Sequence, residues 1–522
     1  MRGNLLWPHS HACGDLEETN VRPLRTLLIA ALLAALLAST LAPAAIAASD
    51  SRPVIVDLAA PATQEQVAKL AAAGLNVGAV YRNLPAVSGN LPQGRAADLM
   101  ALGFVRGVRA DTIREPTAIS ETGVGASSAP MVGGNYFLDF IDREKTAATG
   151  AGAYVAVLDG GLVPNWRDYL EEHKVRVDLG RSFTGHNGNP VPYQLENDRG
   201  GHGVAVAATI IGYKLHDKLE TGQFLNEPAT GVPGDYLVPG VAPDATIIPV
   251  KVCDNGVYCW DSSIYSGLDY VVGLKLGTEA NGELKGAPFV VNLSLGGPSS
   301  SAAEEALFTY VVSQGVLVVA SAGNNGPYPM GWPGAYPVVI SVGVGGWRKQ
   351  WYGDQTYINN QWWMDDVAED AASIDEWFMV WWSGVERPDL GQELDVVATG
   401  RFMLLPYLYS GKATPPADPV PADGVPTEYT FISGTSFSAP TTTGVVALML
   451  SVRPDLSQAQ AEKILRSTAL PIPAGSWYAT FPFPHDNAWD ASKSLGGPGH
   501  KTGWGLVQAD GAVLAAMNLK KK

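Results

Sequence analysis

Charge and cysteine are both scarce in this chain of 522 residues. Only 16% of the residues are charged, and acids outnumber bases 51 to 35, for a formal net charge of −16. That balance argues against nucleic acid as a partner and favours a soluble exported protein. There are three cysteines. Cys13 lies in the N-terminal region, and Cys253 and Cys259 have no histidine nearby, which speaks against a metal site. Six positions apart across Asp254-Asn-Gly256, the pair could close a small disulfide loop in an oxidising compartment, although spacing alone does not establish the geometry. No Asp-x-Asp-x-Asp loop of the EF-hand kind is present.

What the chain has instead is apolar residues, 46% of the total, enough for a sizeable core and more than one domain. Arg22 and Arg25 precede the run Leu27–Ala38, and Ala45-Ile-Ala47 fits a small-residue cleavage site. Residues 1–47 therefore read as an export signal. A membrane anchor is the alternative, but Pro43 and the alanine-rich tail favour cleavage, leaving no stable membrane span. The acidic residues Asp15, Glu17 and Glu18 ahead of Arg22 are unusual for such a signal, and translation could start further in.

Four segments carry chemistry. Asp159 ends the apolar run Ala153–Leu158, short enough for a strand, and a carboxylate at a strand's C-terminal tip lies where open α/β sheets place ligands. His202 stands in Gly200-Gly-His-Gly203 before the helical run Val204–Ile211, and its flanking glycines suggest an accessible ring. Asn324 lies in Ser321-Ala-Gly-Asn-Asn-Gly326, directly after the strand-like Val316–Ala320. Ser436 lies in Ile432-Ser-Gly-Thr-Ser-Phe-Ser-Ala-Pro440, ahead of an apolar helix, where free N–H groups can stabilise developing negative charge. Each alone also fits a turn, a structural histidine or a helix cap.

In the order Asp, His, Asn, Ser, these segments resemble the subtilisin-like (subtilase) serine peptidases. Val291-Asn-Leu-Ser-Leu-Gly-Gly297, Gly240-Val-Ala-Pro-Asp-Ala245 and Glu393-Leu-Asp-Val-Val-Ala398 add to the likeness, which covers residues 135 to 515. The resemblance implies Ser436 as nucleophile, His202 as general base and acid, and Asp159 as the carboxylate that orients the imidazole. It also implies an oxyanion hole made by the Asn324 side chain and the Ser436 N–H. Ser294, Leu295, Gly296, Ser321, Ala322 and Gly323 match the two walls of the family's primary specificity pocket, and free backbone groups there could pair with an extended peptide. Small uncharged walls suggest an apolar or modest-sized side chain before the cut. Ser438 stands where an α/β-hydrolase would have its final glycine. Two departures from the family pattern stand out: Gly160 replaces a Ser or Thr, and His202-Gly-Val-Ala-Val-Ala207 lacks a hydroxyl and a second histidine.

The expected fold class is α/β, a doubly wound, largely parallel sheet, preceded by a small α+β domain. Residues 48–134 hold that domain (51–118), which resembles the family's inhibitor propeptide, and a Gly/Ser/Ala-rich linker, Ile119–Gly134, suited to cutting. Residues 135–522 form the peptidase domain, with insertions near 346–382 and 401–430. The first insertion holds Trp347, Trp351, Trp362, Trp363, Trp377, Trp381 and Trp382, which we read as packing it against the body; binding of a polymer or surface is the alternative. The expected partners are polypeptide substrates and the chain's own propeptide as intramolecular inhibitor. No cofactor is expected for the chemistry, and structural calcium is implied only by resemblance. Two rival readings are an inactive binding protein and an exo-acting or transpeptidating enzyme on the same fold.

Overall fold

The computed structural model describes residues 51–117, 119–120, 136–184, 195–198, 200–215, 236–254, 258–326, 329–347, 377–380, 382–401, 403–406, 429–472 and 502–520. The signal region, most of the Ile119–Gly134 linker and most of both insertions lie outside them.

Residues 51–110 build their own layer. Strands Ser51–Leu58, Asn76–Val80, Ala86–Pro92 and Val105–Ala110 form a four-stranded sheet, and helices Gln64–Ala72 and Ala96–Met100 connect them. The first helix starts where Thr63 and Gln66 satisfy each other's backbone N–H groups in a reciprocal capping box. Val54, Val56, Leu70, Val87 and Leu99 close a separate small core.

The main body is organised around an eight-stranded sheet. Its order runs Trp377–Met379, Ile340–Trp347, Val316–Ser321, Phe289–Leu293, Tyr154–Asp159, Thr246–Lys251 and Arg181–Ser182, with Val396–Thr399 pairing alongside Ile340–Trp347. Only Trp377–Met379 runs antiparallel to its neighbour. Both faces are covered, as a parallel sheet requires. Alternation along a strand divides the side chains between two cores: Val155 and Val157 join one, Ala156 and Leu158 the other. Helices His202–Ile211 and Thr435–Val452 fill the first core, and Asp261–Leu276 and Ala302–Ser313 fill the second.

Trp377 and Trp382 are buried, Trp377 in the main core and Trp382 against Val344 and Val380. The hairpin of Met403–Pro406 and Tyr429–Ser433 leads directly into the helix that carries Ser436. Among the described residues no helix is long and apolar enough to cross a membrane.

Candidate active site

Asp159 is the last residue of its strand, and the chain turns at once through Gly160-Gly161. His202 opens its helix, with Gly201 at φ 67° as the cap. The two turns touch: a Cβ on Gly203 would come within 2.4 Å of the Gly161 carbonyl oxygen, so only glycine permits the approach. That contact brings His202 Nδ1 to 2.9 Å from both oxygens of Asp159. The imidazole is 1% exposed, not open as its flanking glycines suggested, because it lies against the Phe437 ring at 5.7 Å.

Ser436 occupies the first turn of Thr435–Val452, a helix that contains Pro440. Proline has no N–H to offer the carbonyl four residues back, which is that of Ser436. The Ser294 hydroxyl donates to this oxygen instead, at 2.8 Å. Ser294 is in turn held by Asn292 Nδ2 at 2.9 Å, whose Oδ1 accepts from Thr443 at 2.9 Å. The Ser436 backbone is thereby tied to the central sheet. Its own hydroxyl donates to the Ser294 carbonyl at 3.1 Å.

Asn324 is locked by two bonds to its Oδ1, from Thr435 N at 2.9 Å and Thr435 Oγ1 at 2.8 Å. The same hydroxyl accepts from Gly323 N at 3.2 Å. With Oδ1 fixed as acceptor, Nδ2 must point into the site, and there it donates to the carbonyl oxygen of Thr117. The Ser436 N–H donates to that same oxygen at 3.1 Å.

Thr117 therefore places its carbonyl between the two donors. Its N–H donates to the Ser294 carbonyl at 3.2 Å, and its hydroxyl contacts Ser321 Oγ and Ser436 Oγ, each at 2.8 Å. The preceding strand, Ile113–Pro116, is paired antiparallel on both sides. Pro116 and Glu115 face Leu295 and Gly296, while Arg114 and Ile113 face Cys259 and Trp260. Beyond Thr117 the chain continues past Ser436, with Ile119 and Ser120 pairing to Ser433 and Ile432. Ala322 passes its carbonyl to Gly331 N and its N–H to Val342, so it shapes the wall through its backbone. The Cys253 and Cys259 sulfurs lie 1.98 Å apart, joining the two strands of the hairpin that borders Arg114.

Comparison with known proteins identifies the family. The subtilase family profile matches residues 150–505. The subtilisin of Bacillus pumilus is 28% identical over 337 residues, 63% of this chain and 88% of that one. Subtilisin NAT of Bacillus subtilis subsp. natto is 29% identical over 328 residues, 62% of this chain and 61% of that one. The crystal structure of fervidolysin from Fervidobacterium pennivorans, described as a keratinolytic enzyme related to subtilisin, shares the fold. Its TM-score is 0.54 at 23% identity, covering 89% of this chain and 61% of that one. The chain belongs to the subtilase family. It is a serine-type endopeptidase on a subtilisin-like fold.

In this subtilase two further groups back the site, and neither was visible in the sequence. Asp198 lies where a side chain on Gly160 would sit: a Cβ there would meet its carboxylate at 3.1 Å. It accepts from Gly201 N at 2.8 Å and faces Lys251 Nζ at 3.8 Å. Lys251 also donates to the Gly160 carbonyl. The buried pair thus ties the Asp159 turn to the His202 turn. Burial raises the Asp198 pKa and lowers that of Lys251, each against the attraction of its partner.

Arg114 was missed too. It is 2% exposed and ion-paired to Asp261 and Glu304. Although burial works against it, these carboxylates hold its pKa above the ordinary range. For the calcium implied by resemblance, no group of three or more His, Cys, Asp or Glu side chains among the described residues could hold a metal ion.

Proposed function

We propose that this subtilase is made as an exported precursor that cuts its own chain between Thr117 and Ala118, using Asp159, His202 and Ser436. One observation carries the reading: the Thr117 carbonyl accepts from both Asn324 Nδ2 and the Ser436 N–H, the donors that an oxyanion hole would supply.

Ser436 Oγ leaves the Ser294 carbonyl, passes its proton to His202 Nε2 and attacks the Thr117 carbonyl carbon. The oxygen becomes an oxyanion between the two donors. Asp159, at 2.9 Å from Nδ1, keeps the imidazole in the tautomer that can accept the proton and stabilises the imidazolium. The intermediate collapses as His202 returns the proton to the Ala118 nitrogen, and the bond breaks. Water, activated by the same imidazole, then hydrolyses the Thr117 acyl-enzyme. Residues 51–117, still paired through Ile113–Pro116, would block the groove until released. Foreign polypeptides would then enter as the same kind of strand. The chemistry needs no cofactor, since triad and hole supply both proton transfer and charge stabilisation.

The test is the full chain beside its Ser436→Ala form. Wild type should yield a new N-terminus at Ala118, while the alanine chain stays intact. Two folded, intact chains would overturn self-processing and favour the binding-protein reading. A new N-terminus elsewhere would reject the Thr117–Ala118 junction. Mapping products from a long unstructured polypeptide separates internal cutting from end-trimming and transpeptidation.

A further inference from the structure

Counting back from the Thr117–Ala118 bond, Arg114 is the fourth residue, and its burial is not required by the hydrolytic chemistry. All five of its N–H donors are used. Nε donates to Asp261 Oδ1 at 2.8 Å. Nη1 donates to the Ser299 and Trp332 carbonyls at 2.8 and 3.3 Å. Nη2 donates to both oxygens of Glu304, at 3.0 and 2.9 Å. A planar fork with every donor matched is a site built for guanidinium, which an ammonium could fill only in part.

Glu304 is itself hydrogen-bonded within the body, accepting from the Tyr265 and Tyr336 hydroxyls at 2.9 and 2.7 Å. Gly297 leaves the room needed, since a Cβ there would stand 3.0 Å from Arg114 Cδ.

Ownership of the charges decides the inference. Asp261 and Glu304 belong to the peptidase body. Arg114, and Arg109 at 4.0 Å from Asp261, belong to the segment ahead of the proposed cut. Departure of that segment removes both cations and leaves Asp261 and Glu304 without a cationic partner, which favours an arriving cation.

We propose that Asp261 and Glu304 form a subsite for arginine at the fourth residue before the cleaved bond. The enzyme's substrates are then polypeptides with Arg in that place and a small residue, such as Thr, directly before the cut. This rests on the reading that Ile113–Thr117 occupies the substrate groove. An apolar residue in the fourth place would leave both carboxylates unpaired, and lysine would match only part of the cage.

The experiment uses the self-processed enzyme and four peptides that share Ile-x-Glu-Pro-Thr-Ala, with x as Arg, Lys, Leu or Ala. kcat/KM for Arg should exceed that for Ala and Leu by about 100-fold, with Lys in between. Glu304→Gln should narrow the Arg-to-Ala ratio by tenfold or more. Equal rates across the four peptides would overturn the subsite while leaving the endopeptidase standing, and the pocket would then serve only to seat the prosegment. If no peptide is hydrolysed, the reading of Ile113–Thr117 as a substrate-like segment fails separately. Dissociation constants of the Arg and Ala peptides from the same preparation then decide the pocket, with equal values rejecting it. Should Glu304→Gln not fold, the wild-type panel decides alone.

Discussion

Replacing Lys251 by methionine removes one charge from the buried pair behind the triad and keeps most of the volume. Lys251 and Asp198 are 3% and 0% exposed, with 3.8 Å between Nζ and Oδ1. At an effective dielectric near 20, unit charges at that distance attract by about 4 kcal/mol, set against a desolvation cost of several kcal/mol per ion. The pair is therefore close to neutral as a unit. Breaking it is not: the lone Asp198 carboxylate would stay buried beside Asp159, at a cost of about 3–5 kcal/mol. Asp198→Asn in the same chain should recover more than half of that loss. The assay is urea unfolding by tryptophan fluorescence, with Ser436→Ala as the common background so that no chain cuts itself. Four chains complete a double-mutant cycle, with a coupling of about 2 kcal/mol or more expected. In active chains, Lys251→Met should also slow self-processing, because Asp198 and Lys251 hold Gly201 N and the Gly160 carbonyl on either side of the triad. A single-variant cost under about 1 kcal/mol, with zero coupling, would refute the reasoning. It would mean that the two groups share one proton and sit uncharged.

Three further outcomes follow from the same geometry. Asn324→Ala should slow appearance of the Ala118 N-terminus by about 10²–10³-fold without abolishing it, since the Ser436 N–H remains; that magnitude comes from a subtilisin and is carried over, and a time course by intact mass checks it. Ser294→Ala leaves the Ser436 carbonyl without its donor next to Pro440, and should destabilise the fold by about 1–3 kcal/mol, read as a shift in urea midpoint. The third outcome concerns pH. Burial pushes Asp111 and Asp269, which bridge prosegment and body, up to about 6 from an ordinary 3.8. A raised pKa means that association takes up protons, so this contribution is full below pH 4 and lost as pH rises through 6. The cleaved prosegment should therefore leave faster at pH 7 than at pH 5. Asp269→Asn should flatten the difference, and equal release rates at the two pH values would contradict it.

Strand and helix positions were largely legible because they depend on local pattern. The apolar run ending at Asp159 and the glycines around His202 and Ser436 announce themselves within a few residues. The burial of His202 was not legible, because Phe437, which covers the ring, is 235 positions away along the chain. The meeting of Asn324 Nδ2 and the Ser436 N–H at the Thr117 carbonyl was not legible either, because the three residues lie more than 100 positions apart.

By itself, the sequence determined the family and the α/β order, since these are written in contiguous segments. Only the tertiary structure decided which groups meet. Arg114 reaches Asp261 and Glu304 across 147 and 190 positions, and Asp198 meets Lys251 through the packing of two turns. Each of these residues looks like an ordinary surface charge in its own neighbourhood. They pair inside the protein because folding removes water and leaves each charge only the partner that the fold provides.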